Sequence, residues 1–268
     1  MSTPTAGRLA LRFVALGYLA ALLAIPVGMV FYRAFEKGFG AAWAAVTTPP
    51  AQHAFFLTLV VVGIAVPLNA IFGVLTAWLI ARREFRGKRL LDALVDLPFA
   101  VSPVVVGLAL ILVWGQDGWF GGALTDAGLT IIFSTPGMIL ATVFVSLPFV
   151  VREVVPVLRE EGIEQEQAAE TLGASGWQAF WRITLPTIRW GLAYGVILTT
   201  ARALGEFGAV SIVSGKISGR TETMTLFVEE RFQSFDLVGA YAAAVVLALI
   251  AIAVLVLMTR LQRDQENR

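Results

Sequence analysis

The sequence contains no cysteine and a single histidine, His53, among its 268 residues. Without cysteine the chain forms no disulfide, has no thiolate nucleophile and cannot supply Cys ligands to zinc or an iron–sulfur cluster. With one histidine besides, no transition-metal site is expected. The motifs G-x-x-x-x-G-K-[ST], H-E-x-x-H and G-x-S-x-G are also absent. The sequence therefore excludes a P-loop for ATP and shows no catalytic constellation.

Charged side chains are scarce. They make up 15% of the residues, against about 25% in a typical soluble domain. Hydrophobic residues make up 57%, and the formal net charge is only +1. A near-neutral chain gives no reason to expect nucleic acid as a partner, and the excess of apolar side chains predicts that much of the surface faces lipid.

Long uncharged runs recur along the chain. About 20 apolar residues in a helix cross a bilayer core of about 30 Å, and six segments meet this length: residues 13–32, 55–81, 97–114, 131–151, 191–213 and 238–258. The first run follows Arg8 and Arg12 and is longer than the apolar region of a signal peptide, about 7–15 residues, so we interpret it as a retained span. The sequence thus predicts an all-α integral membrane protein with six transmembrane helices.

The positions of lysine and arginine predict the orientation, because cytoplasmic loops carry an excess of these residues. With the N-terminus in the cytoplasm, fourteen of the twenty Lys and Arg residues lie in cytoplasmic segments, five lie outside and Arg202 lies within a span. The opposite orientation would reverse this asymmetry. Both termini are therefore predicted to be cytoplasmic.

The loop at residues 152–190, between the fourth and fifth spans, carries signals for secondary structure of its own. Residues 164–172 are strong helix formers, and Gly173 suits the left-handed position that ends a helix. Ser175 and Gln178 are spaced as a capping box for a second helix, on which three aromatic residues share one face and which Pro186 is expected to end. A helix–glycine–helix unit with an aromatic face predicts a docking surface for another protein. Anchoring at the membrane–water interface is an alternative explanation of the aromatic face, but not of the whole unit. The three aromatic residues are Trp177, Phe180 and Trp181.

This loop resembles the EAA loop of ABC importer permeases, in which a coupling helix seats in a cleft of the ATP-hydrolysing subunit. The resemblance is carried by Gln167-Ala168-Ala169, by Gly173, and by Ile183-Thr184-Leu185-Pro186. It implies a type I importer permease (MetI-like) architecture, with ATP and Mg²⁺ bound by the partner ATPase and no cofactor in this chain. Gln167 replaces the family's usual Glu, and Glu166 points about 100° away around the helix. The residues that the resemblance assigns to ATPase coupling are Glu166, Gln167, Ala168, Ala169, Glu170, Gly173 and Pro186.

Other motifs resemble the sulfate, thiosulfate and molybdate permeases, and most of all the W-type subunit of the sulfate/thiosulfate branch. They lie at residues 147–153, 173–178, 188–190, 201–210 and 211–215. The resemblance implies a heterodimer with a T-type sister permease, two ATPase subunits and an extracytoplasmic binding protein for the anion, in a bacterial inner membrane. The expected division is an N-terminal helix and external loop at 1–53, a permease domain at 54–260 and a tail at 261–268. Molybdate or tungstate stays open as an alternative substrate, since nothing in the sequence measures the size of the anion.

Two opposite charges are predicted inside the fifth span. Arg202 lies eleven residues into the run, about 16 Å deep by helical rise, and Glu206 follows one turn later with Gly205 and Gly208 beside it. An unpaired Arg at this depth costs at least about 2.5–3.5 kcal/mol, so the two charges are expected to pair. We interpret this face as part of an anion pathway; the alternative is a structural tie between helices.

Two further interpretations stay open at this stage. Glu206 could serve as the proton site of a stand-alone secondary transporter, although such a carrier has no use for a docking helix. Asp92 and Asp96 are spaced four residues apart near the start of the third span, where the helix dipole favours negative charge. An enzyme is the least favoured reading, because no catalytic constellation is present.

Overall fold

The computed structural model describes the backbone of residues 5–266 and the side chains of residues 9–257, 259 and 260. Arg8 and the predicted tail, with Arg268, fall outside the described side chains. Within this part of the chain the regular structure is helical: α1 (Thr5–Leu19), α2 (Ile25–Phe35), α3 (Phe39–Val46), α4 (Pro49–Arg82), α5 (Lys88–Ala100), α6 (Pro103–Trp114), α7 (Gly121–Asp126), α8 (Thr135–Glu160), α9 (Glu164–Thr171), α10 (Gly176–Ala179), α11 (Leu185–Leu204), α12 (Gly208–Val213), α13 (Met224–Gln233) and α14 (Leu237–Glu266).

Four stretches of helix are long and apolar enough to cross a membrane: Leu9–Phe35, Pro49–Arg82, Thr135–Glu160 and Leu237–Leu257. They contain the first and second predicted runs, all but the last residue of the sixth, and most of the fourth. A fifth crossing is formed if α5 and α6 are counted together as one broken span. In the part of the chain that the structure describes, the protein is therefore an all-helical membrane protein with four or five candidate spans. The span predicted at residues 191–213 stays a prediction.

The third and fifth predicted runs are not single straight helices. At Val101 and Ser102 the chain bends by 116° between α5 and α6, because Pro103 forces the residue before it out of the helical region and begins a new helix. The fifth run is interrupted between Leu204, where α11 ends, and Gly208, where α12 begins. The prediction of continuous helices was wrong at both places.

The centre of the fold is a close crossing of α4, α8 and α11. Val150 on α8 is fully buried and lies between Gly73 on α4 and Gly195 on α11. A Cβ atom added to Gly73 would lie 2.7 Å from the Val150 Cβ, and one added to Gly195 would lie 2.9 Å from its Cα. Small residues permit such close approach of helices in a membrane, so these two glycines set the spacing of the three helices.

Two apolar clusters continue this crossing along α4 and α8. One joins Val74, Ile80, Val154 and Leu158 to Ile188 on α11. The other joins the opposite halves of α4 and α8 to α6, α12 and α13; its members include Leu57, Val61, Val106, Met138, Val145, Val210 and Leu226. The α8 helix extends to Glu160 and α11 starts at Leu185, so the connection between these two helices is shorter than residues 152–190.

Wide helical turns precede two prolines. The backbone N–H of Ile25 donates to the carbonyl of Ala20, and that of Leu185 donates to the carbonyl of Phe180, so each bond spans five residues. The π-helical turns, Ala20–Ala24 and Phe180–Thr184, each end two residues before a proline, Pro26 or Pro186. A proline lacks an N–H and collides with the carbonyl four residues earlier in an α-helix. The wider turn relieves this collision, so Pro186 does not stop the second loop helix as predicted, and the chain stays helical into α11.

Candidate functional site

The helix α9 ends in a Schellman motif at the predicted glycine. Gly173 has a φ of 87°, its N–H donates to the Glu170 carbonyl, and the Ala174 N–H donates to the Ala169 carbonyl. These are the two hydrogen bonds that define the motif. The left-handed backbone explains why glycine stands here and confirms the predicted helix–glycine turn.

A capping box begins the second helix of the loop, as the sequence predicted. The Ser175 hydroxyl accepts a hydrogen bond from the Gln178 N–H at 3.3 Å, and the Gln178 side chain accepts one from the Ser175 N–H at 2.9 Å. The chain then continues through α10 and the π-helical turn. The reciprocal caps fix the direction in which this second segment leaves the turn.

The three predicted aromatic residues lie together on one face of this segment. The ring centroids of Trp177 and Trp181 are 5.4 Å apart, and Phe180 lies within 6.2 Å of both. Trp177 is 70% exposed, and Leu172 at the end of α9 is 89% exposed. This loop therefore presents large apolar side chains outward that no other part of the described chain covers.

The remaining loop residues divide between this exposed surface and the interior. Gln167, Ala168 and Glu170 are exposed, as is Pro186, whereas Ala169 is half-buried. Ala169 and Gly173 line a cleft of about 350 Å³ between the two helical segments. The carboxylate of Glu166 points inward, where the Arg82 Nε lies 3.0 Å from Oε2 and the Thr184 hydroxyl donates to Oε1 at 2.8 Å.

The predicted pairing of Arg202 with Glu206 is present, although the two residues do not share a helix. Arg202 Nη2 and Glu206 Oε2 form an ion pair at 2.7 Å. Glu206 follows the end of α11, where its Oε1 accepts a hydrogen bond from the Ala209 N–H of α12. The Thr225 hydroxyl on α13 donates to its carbonyl. Glu206 thus bridges the break between α11 and α12.

The two glycines beside this pair have different surroundings. Gly205 is exposed, and an added Cβ would lie no closer than 3.7 Å to any heavy atom. At Gly208 an added Cβ would lie 2.8 Å from the Cβ of Pro103, the first residue of α6. Gly208 therefore permits close packing of α12 on α6, whereas Gly205 lies on the exposed side of the break with the half-exposed Arg202.

Most of the chain matches a known protein family. Residues 69–267 match the family described as "Binding-protein-dependent transport system inner membrane component". The sulfate transport system permease protein CysW of Synechocystis sp. is 52% identical over 93% of this chain and 91% of its own length. The sulfate transport system permease protein CysT of Escherichia coli is 38% identical over 91% of this chain and 88% of its own length. The chain belongs to this transport permease family.

A solved structure shares the fold of this permease. A chain of a bacterial ABC transporter that imports the acidic polysaccharide alginate superposes with a TM-score of 0.79, at 18% identity, covering 96% of this chain and 94% of the other. At that level of identity the likeness concerns the fold alone. The family match includes α9 and the break after α11, and it leaves out α1 to α3.

Sequence reasoning missed a second cluster of charges in this permease. Arg152 on α8 lies 2.9 Å from an oxygen of Asp92 and donates to both oxygens of Asp96, including a bond of 2.7 Å from its Nε. The α5 helix begins at Lys88, so the two aspartates lie in its interior rather than at its N-terminus, and the prediction of dipole-stabilising charges was wrong. Their spacing of four residues, which places both on one helix face, was the signal that could have indicated a shared cationic partner.

Proposed function

We propose that the chain is the membrane-spanning permease subunit of an ATP-driven ABC importer that moves sulfate or thiosulfate into the cytoplasm. The observation that carries this proposal is the 52% identity to CysW across nearly the whole chain. The lower identity of 38% to CysT favours the W-type position in the complex. The subunit is a permease and not an enzyme; a separate ATPase subunit binds ATP and Mg²⁺.

The helix–glycine–helix loop is the surface on which the ATPase subunit docks. The exposed Leu172, Trp177 and Trp181 supply apolar area for burial at such an interface, and aromatic side chains of this kind dominate protein–protein contacts. Gln167, Ala168 and Glu170 lie on the exposed side of α9, so they are the motif residues placed for contact with the partner. Gly173 and Ala169 shape the turn between the helices.

The proposed topology has six spans and cytoplasmic termini in a bacterial inner membrane. In this arrangement α11 and α12 together form the fifth span, and residues 54–260 form the permease domain after an N-terminal unit at 1–53 and before a tail at 261–268. The excess of Lys and Arg on one side supports the orientation. A cysteine introduced at the exposed Leu172 should then be labelled only from the cytoplasm, and one at the exposed Trp119 only from outside.

The pathway for the anion passes the break between α11 and α12. Irregular backbone at membrane depth is tolerated where it is buried in protein or lines a water-filled cavity, and the break presents Gly205 and the half-exposed Arg202. A dianion requires positive potential along its route, while Glu206 moderates the attraction so that the anion is released. Gly208, which packs on Pro103, holds the break in place.

The complete importer also contains a T-type sister permease and an extracytoplasmic binding protein that captures the anion. The apolar surface of α1 and α2 is available for such assembly or for lipid, because the only buried residue of α2 is Ala34 and the described side chains of α1 are exposed. Membrane lipid covers the remaining apolar faces.

Reconstitution of the complex in proteoliposomes tests this function. The permease is purified with its T-type sister and the ATPase, and uptake of radiolabelled sulfate, thiosulfate, molybdate and tungstate is measured with binding protein outside and ATP inside. Uptake of sulfate or thiosulfate that stops without ATP is expected. If only molybdate or tungstate is taken up, that anion is the substrate instead. ATP-independent uptake by the permease without its partners would favour a proton-coupled carrier.

A further inference from the structure

The carboxylate of Glu166 is the centre of a buried polar cluster beneath α9. The side chain of Arg82 is 7% exposed and that of Glu166 is 17% exposed. The Arg82 Nε donates to both carboxylate oxygens, at 3.0 and 3.3 Å, and its Nη2 donates to Oε1 at 3.3 Å. The hydroxyl of Thr184, which is 3% exposed, donates to Oε1 as well. Two side chains from other elements, Arg82 and Thr184, therefore donate to one carboxylate of the docking loop.

This cluster joins four different elements of the fold. Arg82 is the last residue of α4, and its Nη1 also donates to the carbonyl of Leu158 near the end of α8. Glu166 lies in the first turn of α9, and Thr184 is the last residue of the π-helical turn before α11. Glu166 is thus fixed to the ends of the three helices whose crossing forms the centre of the fold.

Apolar packing contributes little to this connection, because no residue of α9 is buried and its one half-buried apolar side chain is the small Ala169. A helix without buried side chains is not fixed by hydrophobic contacts, and it can shift relative to the membrane helices without moving them. A shielded, charge-assisted hydrogen-bond network is short and directional. The Glu166 cluster is therefore the rigid link of α9 to the spans.

The charge of Glu166 is also unavailable for contact with a partner. Its oxygens are occupied within the chain, while Gln167 next to it is exposed and uncharged. We propose that Glu166 is a positioning residue which, through Arg82 and Thr184, transmits the movement of the docked helix to α4, α8 and α11. This inference rests on the proposed function and assigns to Glu166 a role inside the permease rather than at the ATPase interface.

The decisive variant is Glu166→Gln in the complete reconstituted complex, with sulfate uptake and ATP hydrolysis measured on the same vesicles. The docking surface is unchanged, so ATPase recovery and hydrolysis should stay within about twofold of wild type. Uptake per ATP hydrolysed should fall by at least about tenfold, the lower end of the effect expected when a hydrogen bond to a charged group is lost. Glu164→Gln is the matched control, since Glu164 is exposed on the same helix. It should keep the wild-type ratio of uptake to hydrolysis.

Two further variants guard against a general loss of folding. Thr184→Val keeps the shape and the ion pair while removing one hydrogen bond, so its ratio of uptake to hydrolysis should lie between those of wild type and Glu166→Gln. The double variant Arg82→Gln/Glu166→Gln leaves no unpaired buried charge, and its ratio should be no lower than that of either single variant.

Three results would overturn the inference. One is a wild-type ratio in Glu166→Gln, and another is an additive loss in the double variant. The third is a fall in hydrolysis in proportion to uptake with ATPase lost from the complex, which would place Glu166 at the docking interface. None of these would affect the proposed function, which fails instead if the wild-type complex shows no ATP-dependent uptake.

Discussion

Substitution of Gly173 by alanine isolates the left-handed turn between α9 and α10. Gly173 has a φ of 87°, and an added Cβ would meet no heavy atom within 4 Å. The substitution therefore introduces no collision, and its cost is that of placing an L-residue in the left-handed region, about 1–2 kcal/mol. The fraction of molecules that hold this turn should therefore fall by a factor of about 5–30, and any docking that depends on the turn should weaken equally.

Gly176→Ala provides the matched control three residues further along. An added Cβ at Gly176 also meets nothing within 4 Å, and this residue lies in α10 with ordinary helical backbone. Both variants reduce the freedom of the unfolded chain to a similar extent, so the difference between them reports the turn. Gly173→Asn should fall between the two, because Asn tolerates the left-handed conformation better than Ala.

The measurement is the affinity of the nanodisc-embedded permease complex for its ATPase subunit, followed by uptake in proteoliposomes. Gly173→Ala should weaken ATPase binding about 5- to 30-fold, while Gly176→Ala should bind like wild type. Equal affinities for the two alanine variants would refute the reasoning, because the positive φ is the one structural difference between the sites that bears on the substitution.

Three other perturbations follow from the structure. Gly195→Ala should lower the free energy of unfolding of the detergent-solubilised protein by about 1–3 kcal/mol relative to Gly63→Ala. The reason is that a Cβ at Gly195 would lie 2.9 Å from the Val150 Cα, whereas one at Gly63 would have nothing within 4 Å. Equal melting temperatures of the two variants would contradict the close crossing of the helices. Arg202→Gln should abolish uptake while the complex still assembles, and normal uptake would remove Arg202 from the pathway. Burial raises the pKa of the Glu222 carboxyl. The folded state therefore binds the proton more tightly than the unfolded state, and this stabilisation, present below pH 4.5, is lost as the pH rises through the raised pKa. Between pH 4.5 and 8 the melting temperature of Glu222→Gln should therefore depend less on pH than that of the wild type. An equal pH dependence of the two proteins would refute the raised pKa of Glu222.

Local features of the docking loop could be predicted from the sequence because their determinants lie within a few residues of one another. The Schellman glycine, the capping box of Ser175 and Gln178, and the aromatic face all depend on neighbouring positions. The pairing of Arg202 with Glu206 was also predictable, since a charge in an apolar run requires a partner close by. The spacing of four residues does not reveal that α11 ends at Leu204 and that Glu206 lies beyond it.

The partners of Glu166 were not predictable in the same way. Arg82 lies 84 residues earlier in the chain. In the sequence it is one of several basic residues at the end of a span, and nothing marks it as the partner of Glu166. The break after Leu204 was hidden because the run stays apolar on average across Gly205 and Glu206, and hydropathy measures composition rather than backbone continuity. The effect of Pro186 was mispredicted because a π-helical turn accommodates the proline within a continuing helix.

The central claim is that the loop after α8 docks on an ATPase subunit, and cysteine cross-linking tests it most directly. The chain contains no cysteine, so Leu172→Cys introduces a single thiol at a side chain that is 89% exposed. In membranes containing the complete complex, this thiol should cross-link to the ATPase subunit, and Trp119→Cys, at a position that is 84% exposed, should not. Cross-links from Leu172→Cys only within its own chain or to lipid would contradict the account.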